Sequence, residues 1–135
     1  MQAGPPAGGG PGAQIEADTR ALCGRFPCRM MSAAESARAF DGTLHLHLRC
    51  LLSHHACVGA IAIGSVDDLA LEDRFVARDF RLGAGRTTTL ALPLTSAGRQ
   101  ALRNAQHVEA YLYVALRGAH GERLVALNGV LELVR

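Results

Sequence analysis

The sequence has no tryptophan, no lysine and only 4% aromatic residues. Its core must therefore be assembled from Leu, Ala and Val, and no large aromatic platform can dominate a binding site. All fourteen basic residues are Arg, in a chain rich in Ala, Gly and Leu. That bias looks like the product of a high-GC bacterial genome, so the missing Lys carries no functional meaning. No run of like charge occurs and the formal net charge is only +2. Without a basic face interleaved with aromatics, nucleic-acid binding is disfavoured. No apolar run approaches the roughly 18–20 residues that span a bilayer, so no membrane span is expected. The opening "MQAGPPAGGGPGAQ" also lacks the charged region and apolar core of a secretory signal. Glycine-rich phosphate loops are missing too. The nearest candidate, "GAGR" at 83–86, lies between two strand patterns and not before a helix, which makes it a hairpin turn.

What is present fits one domain. The chain has 135 residues, 49% of them hydrophobic, enough for a single buried core. Residues 1–20 are expected to form a flexible Gly/Pro-rich tail or an assembly arm, because so little apolar surface cannot fold alone. Residues 21–135 form the domain. Up to residue 41 the pattern is ambiguous, and "RMMSAAESARAF" is read as an irregular edge strand. From residue 42 the period is two. "GTLHLHLRC" sets Leu44, Leu46, Leu48 and Cys50 against His45, His47 and Arg49. "CVGAIAIG" (57–64) is a central strand of small residues, and "RFVARDFRL" puts Val76, Phe80 and Leu82 on one face, with Arg78 interrupting it. "TTTLALPL" alternates up to Pro93, which favours an edge or a strand end. "TSAGRQALRNAQ" is a helical turn capped by Thr95 or Ser96 with Leu102 inward. "HVEAYLYVALR" turns Val108, Ala110, Leu112, Val114 and Leu116 one way, and Tyr111 and Tyr113 the other. A last strand spans about 123–134, with Gly129 as a bulge. The expected fold is all-β: an antiparallel sandwich of six or seven strands with one short helical turn.

The four cysteines fall into two close pairs, Cys23 with Cys28 and Cys50 with Cys57. An even count in a small β protein suggests disulfides, with three possible connectivities. Cys50 and Cys57 would face each other across a hairpin mouth, and closing that loop is worth roughly 2–3 kcal/mol. The alternative is zinc held by Cys23, Cys28, Cys50 and Cys57 with His54 or His55 in reserve, although the wide second pair departs from the usual knuckle spacing. Free buried thiols are the third possibility. A thiolate at Cys57 beside His54 or His55 lacks any sign of the geometry catalysis needs. Asp67–Asp68 and Glu72–Asp73 read as a solvated loop, and Ser96 has no nucleophile-elbow setting. No enzyme activity and no cofactor are expected. Tyr111 and Tyr113, the only aromatic cluster, are the candidate contact surface for a protein partner or a glycan.

From about residue 40 onward, "LHLRC", "CVGAIAIG", "FRLGAGRTTTLALPL", "SAGRQALRNAQ", "VEAYLYVAL" and "GAHGERLVALNGVLELV" occur in that order. This order resembles a family of β-sandwich modules in secreted and cell-surface proteins of high-GC actinobacteria. His54 and His55 depart from the Pro/Ala/Gly-rich loop of that pattern, and "CGRFPC" lies outside it. The resemblance implies an immunoglobulin-like or fibronectin-like, non-catalytic module outside the cell, with a structural or adhesive role. Its partners would be other protein subunits, including further copies joined through sheet edges or the N-terminal arm. The competing reading is an intracellular zinc protein.

Overall fold

A computed structural model describes residues 11–66 and 74–135. Helix α1 (Pro11–Cys23) leads into two short strands, β1 (Met31–Ala33) and β2 (Ser36–Phe40). There follow β3 (Thr43–Cys50), β4 (Cys57–Ser65), β5 (Val76–Leu82), β6 (Thr87–Pro93), α2 (Ser96–Asn104), β7 (His107–Arg117) and β8 (Arg123–Val134). Period-two alternation became strand throughout: Leu44, Leu46, Leu48 and Cys50 on β3 are buried, while His47 and Arg49 are exposed. Val76, Phe80 and Leu82 of β5 and Ala110, Leu112, Val114 and Leu116 of β7 point inward too. With Ile61 and Ile63 of β4 and Leu131 and Leu133 of β8 they form one core. Each such side chain contributes about 1.5–3 kcal/mol on burial.

The strands make one mixed, curled sheet. β6 pairs with β3, whose other edge is shared by β1 at one end and β2 at the other; β8, β7, β4 and β5 follow. Instead of an antiparallel array of six or seven strands with one helical turn, there are eight strands and two helices among the described residues. β2 and β8 run parallel. The parallel pair arises because the first edge strand breaks after Ala33 and its second half lies between β3 and β8. Almost the whole domain separates β2 from β8, which is ample for a parallel connection. The curl brings the two ends of the sheet together: Thr95, after β6, donates its N–H to the carbonyl of Phe75, before β5, at 2.9 Å.

Local chemistry explains the connections. Asp41 (φ 53°) and Gly42 (φ 73°) are both left-handed and link β2 to β3. This is the two-residue hairpin turn favoured by Asp-Gly, a signal the alternation analysis passed over. Thr95 caps α2 by accepting from the Gly98 N–H at 3.2 Å, and Leu102 is buried, as its pattern requires. The 83–86 turn closes with Arg86 N–H on Gly83 O at 3.0 Å. It is no hairpin, since β5 and β6 sit at opposite ends of the pairing path; the turn carries the chain across the core. The bulge falls at Ala126: Val114 pairs with Leu127 and Ala115 with Val125, while Gly129 pairs regularly with Leu112.

Residues 11–20, expected within the tail, belong to α1; residues 1–10 lie outside the described residues. The Arg20–Glu16 pair at 2.9 Å supports the helix one turn apart. Gly24 (φ 80°) ends it, donating to Arg20 O at 2.7 Å.

Candidate binding face

All four sulfurs are committed: Cys23 is bonded to Cys28 and Cys50 to Cys57. No thiolate remains for zinc, and His54 and His55 sit exposed on the loop between the second pair. The second bond does not close a hairpin. β3 and β4 are not neighbours in the sheet, so Cys50–Cys57 ties the half containing β3 to the half containing β4. The strand histidines are engaged elsewhere. His47 Nδ1 lies 2.6 Å from Thr89 Oγ1, and His45 stacks on Phe40 with ring centroids 4.3 Å apart. Among the described residues no three His, Cys, Asp or Glu side chains come close enough to hold a metal. The Asp67–Asp68 and Glu72–Asp73 pairs lie outside the described residues.

A pair of acids that the sequence did not reveal joins α1 to the β7–β8 turn. Asp18 is fully buried and lies against Gly118, where an added Cβ would be 2.7 Å from Asp18 Oδ2. Gln14 donates to Asp18 Oδ1 at 3.2 Å, and His120 Nε2 is 3.5 Å from the same oxygen. Asp18 Oδ2 and Glu122 Oε2 are shielded from solvent and have no donor of their own. A hydrogen bond between the two side chains gives both oxygens a partner when Glu122 carries the proton. That hydrogen bond to Asp18, followed by burial and the charge of Asp18, raises the Glu122 carboxyl above its ordinary value, against a smaller opposing effect of His120. A raised acid favours the folded state below its unfolded titration, and the benefit is lost as pH rises through the folded value. Stability is thus expected to fall as pH climbs from the acid range through that titration. Glu122→Gln should flatten the slope in pH-resolved thermal melts; an unchanged slope would refute the raised Glu122 carboxyl.

One surface hollow is a trough on the outer side of the sheet. It follows from the composition of β4. Ile61 and Ile63 point inward, so Val58, Ala60 and Ala62 face out, and short side chains leave a channel between taller neighbours. Register sets the walls. Ala62 lies between Ala77 of β5 and Tyr113 of β7, and Ala60 between Asp79 and Ala115. The hollow has a volume of about 380 Å³; Arg74, Arg78 and Arg123 line it, and Asp79 is its one acid among the described residues. It shares Ala60, Asp79, Ala115 and Arg123 with an adjoining hollow of about 260 Å³ that reaches Arg117 and Glu122. Among the described residues Arg74, Arg78 and Arg123 make no ion pair, and Arg74 Nε is shielded without an acceptor.

The two tyrosines are separated in use. Tyr113 lines the trough, whereas Tyr111 lies one row along, between Gly64 and the exposed Val130. The grouping is not visible in the sequence because Arg74 and Arg78 belong to one segment and Arg123 to another, and the two meet only through strand pairing.

No protein-family profile matches the chain, and no curated protein matches it. Among solved structures it is similar to the crystal structure of a DUF3823 family protein from Bacteroides ovatus, with a TM-score of 0.49 and 9% identity. The match covers 78% of this chain and 55% of that one, so the chain spans little more than half of its neighbour's length. The actinobacterial origin rests on the sequence resemblance alone.

Proposed function

We propose that this chain is a non-catalytic, extracellular structural or adhesive module that docks a partner through the outer face of β4, β5 and β7. The observation that carries this reading is the trough: a formed hollow with an apolar floor, an aromatic wall and arginines that make no ion pair among the described residues, the usual make-up of a recognition site. The two disulfides support an oxidising compartment, since such bonds are rare in reducing cytosol. Strand pairing supports an immunoglobulin- or fibronectin-like sandwich as the finer description. β1, β3 and β6 would form one layer and β8, β7, β4 and β5 the other, with the parallel β2–β8 contact as the seam.

Cell fractionation tests the reading. The protein is expected outside the cytoplasm with both disulfides formed, and held at the cell surface. Ala62→Trp fills the trough from its solvent side and should release the protein into the medium without changing its melting temperature. A cytoplasmic protein with four free thiols, or surface retention untouched by Ala62→Trp, would overturn the proposal.

A further inference from the structure

Resting on that reading, we infer that the trough binds an acidic saccharide, a sugar chain bearing carboxylates, through Arg74, Arg78, Arg123 and Tyr113. Three features of the hollow select this ligand.

The first is the floor. β4 is laddered to β5 on one side and β7 on the other, so no free backbone N–H or C=O faces the trough. An extended peptide laid there would press its own amides against alanine methyls without partners, a costly arrangement for buried polar groups. A pyranose ring meets the same floor differently. Its C–H face is apolar and packs on Ala60, Ala62 and Ala115, while its hydroxyls point sideways to the walls.

The second is the flank. Tyr113 presents a half-buried ring beside Ala62, giving a rigid amphipathic wall against which a sugar ring can lie. A single tyrosine also argues against single-stranded nucleic acid, which is held on successive aromatic platforms.

The third is charge. Three arginines line the hollow, Arg78 from the edge-strand position opposite the inward Ile61, with Asp79 the one acid among its described lining residues. A guanidinium fork matches a carboxylate in shape and charge, which a neutral glycan cannot exploit. Asp79 is left to accept hydrogen bonds from sugar hydroxyls. The adjoining hollow adds Arg117, together with Glu122, in continuity, so the surface accommodates more than one sugar unit.

The test is calorimetric titration of the oxidised full chain with oligogalacturonate, with dextran oligomers and oligoglutamate as comparators. Oligogalacturonate alone is expected to bind saturably. Arg78→Ala with Arg123→Ala, and separately Ala62→Trp, should each weaken binding by roughly tenfold or more, the scale of losing charge-assisted hydrogen bonds. Thermal unfolding confirms that the variants are folded. Equal binding of oligoglutamate or dextran, binding indifferent to the arginine substitutions, or no binding to oligogalacturonate would each overturn the saccharide assignment. If oligogalacturonate fails to bind while Ala62→Trp still releases the protein from the cell surface, the docking role stands and only the ligand class falls. If surface retention is also unaffected, both fall.

Discussion

Replacing Cys50 and Cys57 together by alanine is expected to cost about 3–5 kcal/mol, the upper part of the range for native disulfides in small domains. Loop closure supplies roughly 2–3 kcal/mol of this. The remainder comes from position. Both sulfurs are fully buried in the core, and their removal leaves space that a Leu-rich interior can fill only partly. The bond also joins strands that share no backbone ladder with each other; besides it, the corner is held by the Cys50 N–H on Arg86 O and the Leu51 N–H on Met30 O, each at 2.9 Å. Cys23–Cys28 provides the internal comparison. It closes the shorter loop, from the end of α1, and both cysteines are only partly buried. Its double alanine variant should lose less than half as much stability. Urea unfolding of the two variants beside the parent measures both, with the midpoint reporting stability and the slope reporting any change in compactness. Equal losses from the two pairs would contradict the corner-staple account.

Gly59→Ala is expected to cost about 3 kcal/mol or more, an extreme effect for one methyl group and at the upper end for overpacking. Gly59 lies in β4 opposite Leu116 of β7 and Phe80 of β5. A Cβ at this position would lie 1.9 Å from the carbonyl oxygen of Ala115, a backbone atom with no rotamer to escape into. The β4–β7 ladder must open to admit it, beside the irregular register at Val114 and Ala115. Glycine in a strand interior is otherwise a weakness, and here it marks close backbone approach. Gly129→Ala is the control. Gly129 is also in a strand, opposite Leu112, and its added Cβ meets nothing within 4 Å. With no steric conflict, the stiffer unfolded chain should give a gain of about 0.4–1 kcal/mol. Opposite signs for the two substitutions are the expected result. Two effects of similar size and sign would mean that general strand propensity, rather than contact with Ala115, governs Gly59.

Much of this molecule was legible in one dimension. The inward faces of β3, β5 and β7, the cap at Thr95, the end position of Pro93 in an outer strand and the short-range cysteine pairs are all properties of neighbouring residues. Side-chain alternation and cap chemistry act over a few residues, so their trace survives in the string. The helix α1 was hidden for a different reason. Its Ala, Gln and Glu content speaks for helix, but it begins in a Gly/Pro-rich stretch whose composition argues against any structure.

The pairing of the strands was decided elsewhere. Backbone hydrogen bonds join any two strands of suitable length and carry no residue signature, so the order β6–β3–β2–β8–β7–β4–β5 has no marker in the sequence. Two consequences follow from that order. Cys50–Cys57 spans two halves of the sheet instead of a hairpin, and the small outer residues of β4 fall between Tyr113 and arginines from two separate segments. Period and composition determined which face of each strand is buried, because burial is a local demand on side chains. Only the tertiary structure decided which faces adjoin, because that depends on distant backbone pairing, and the candidate site is made of such adjacencies.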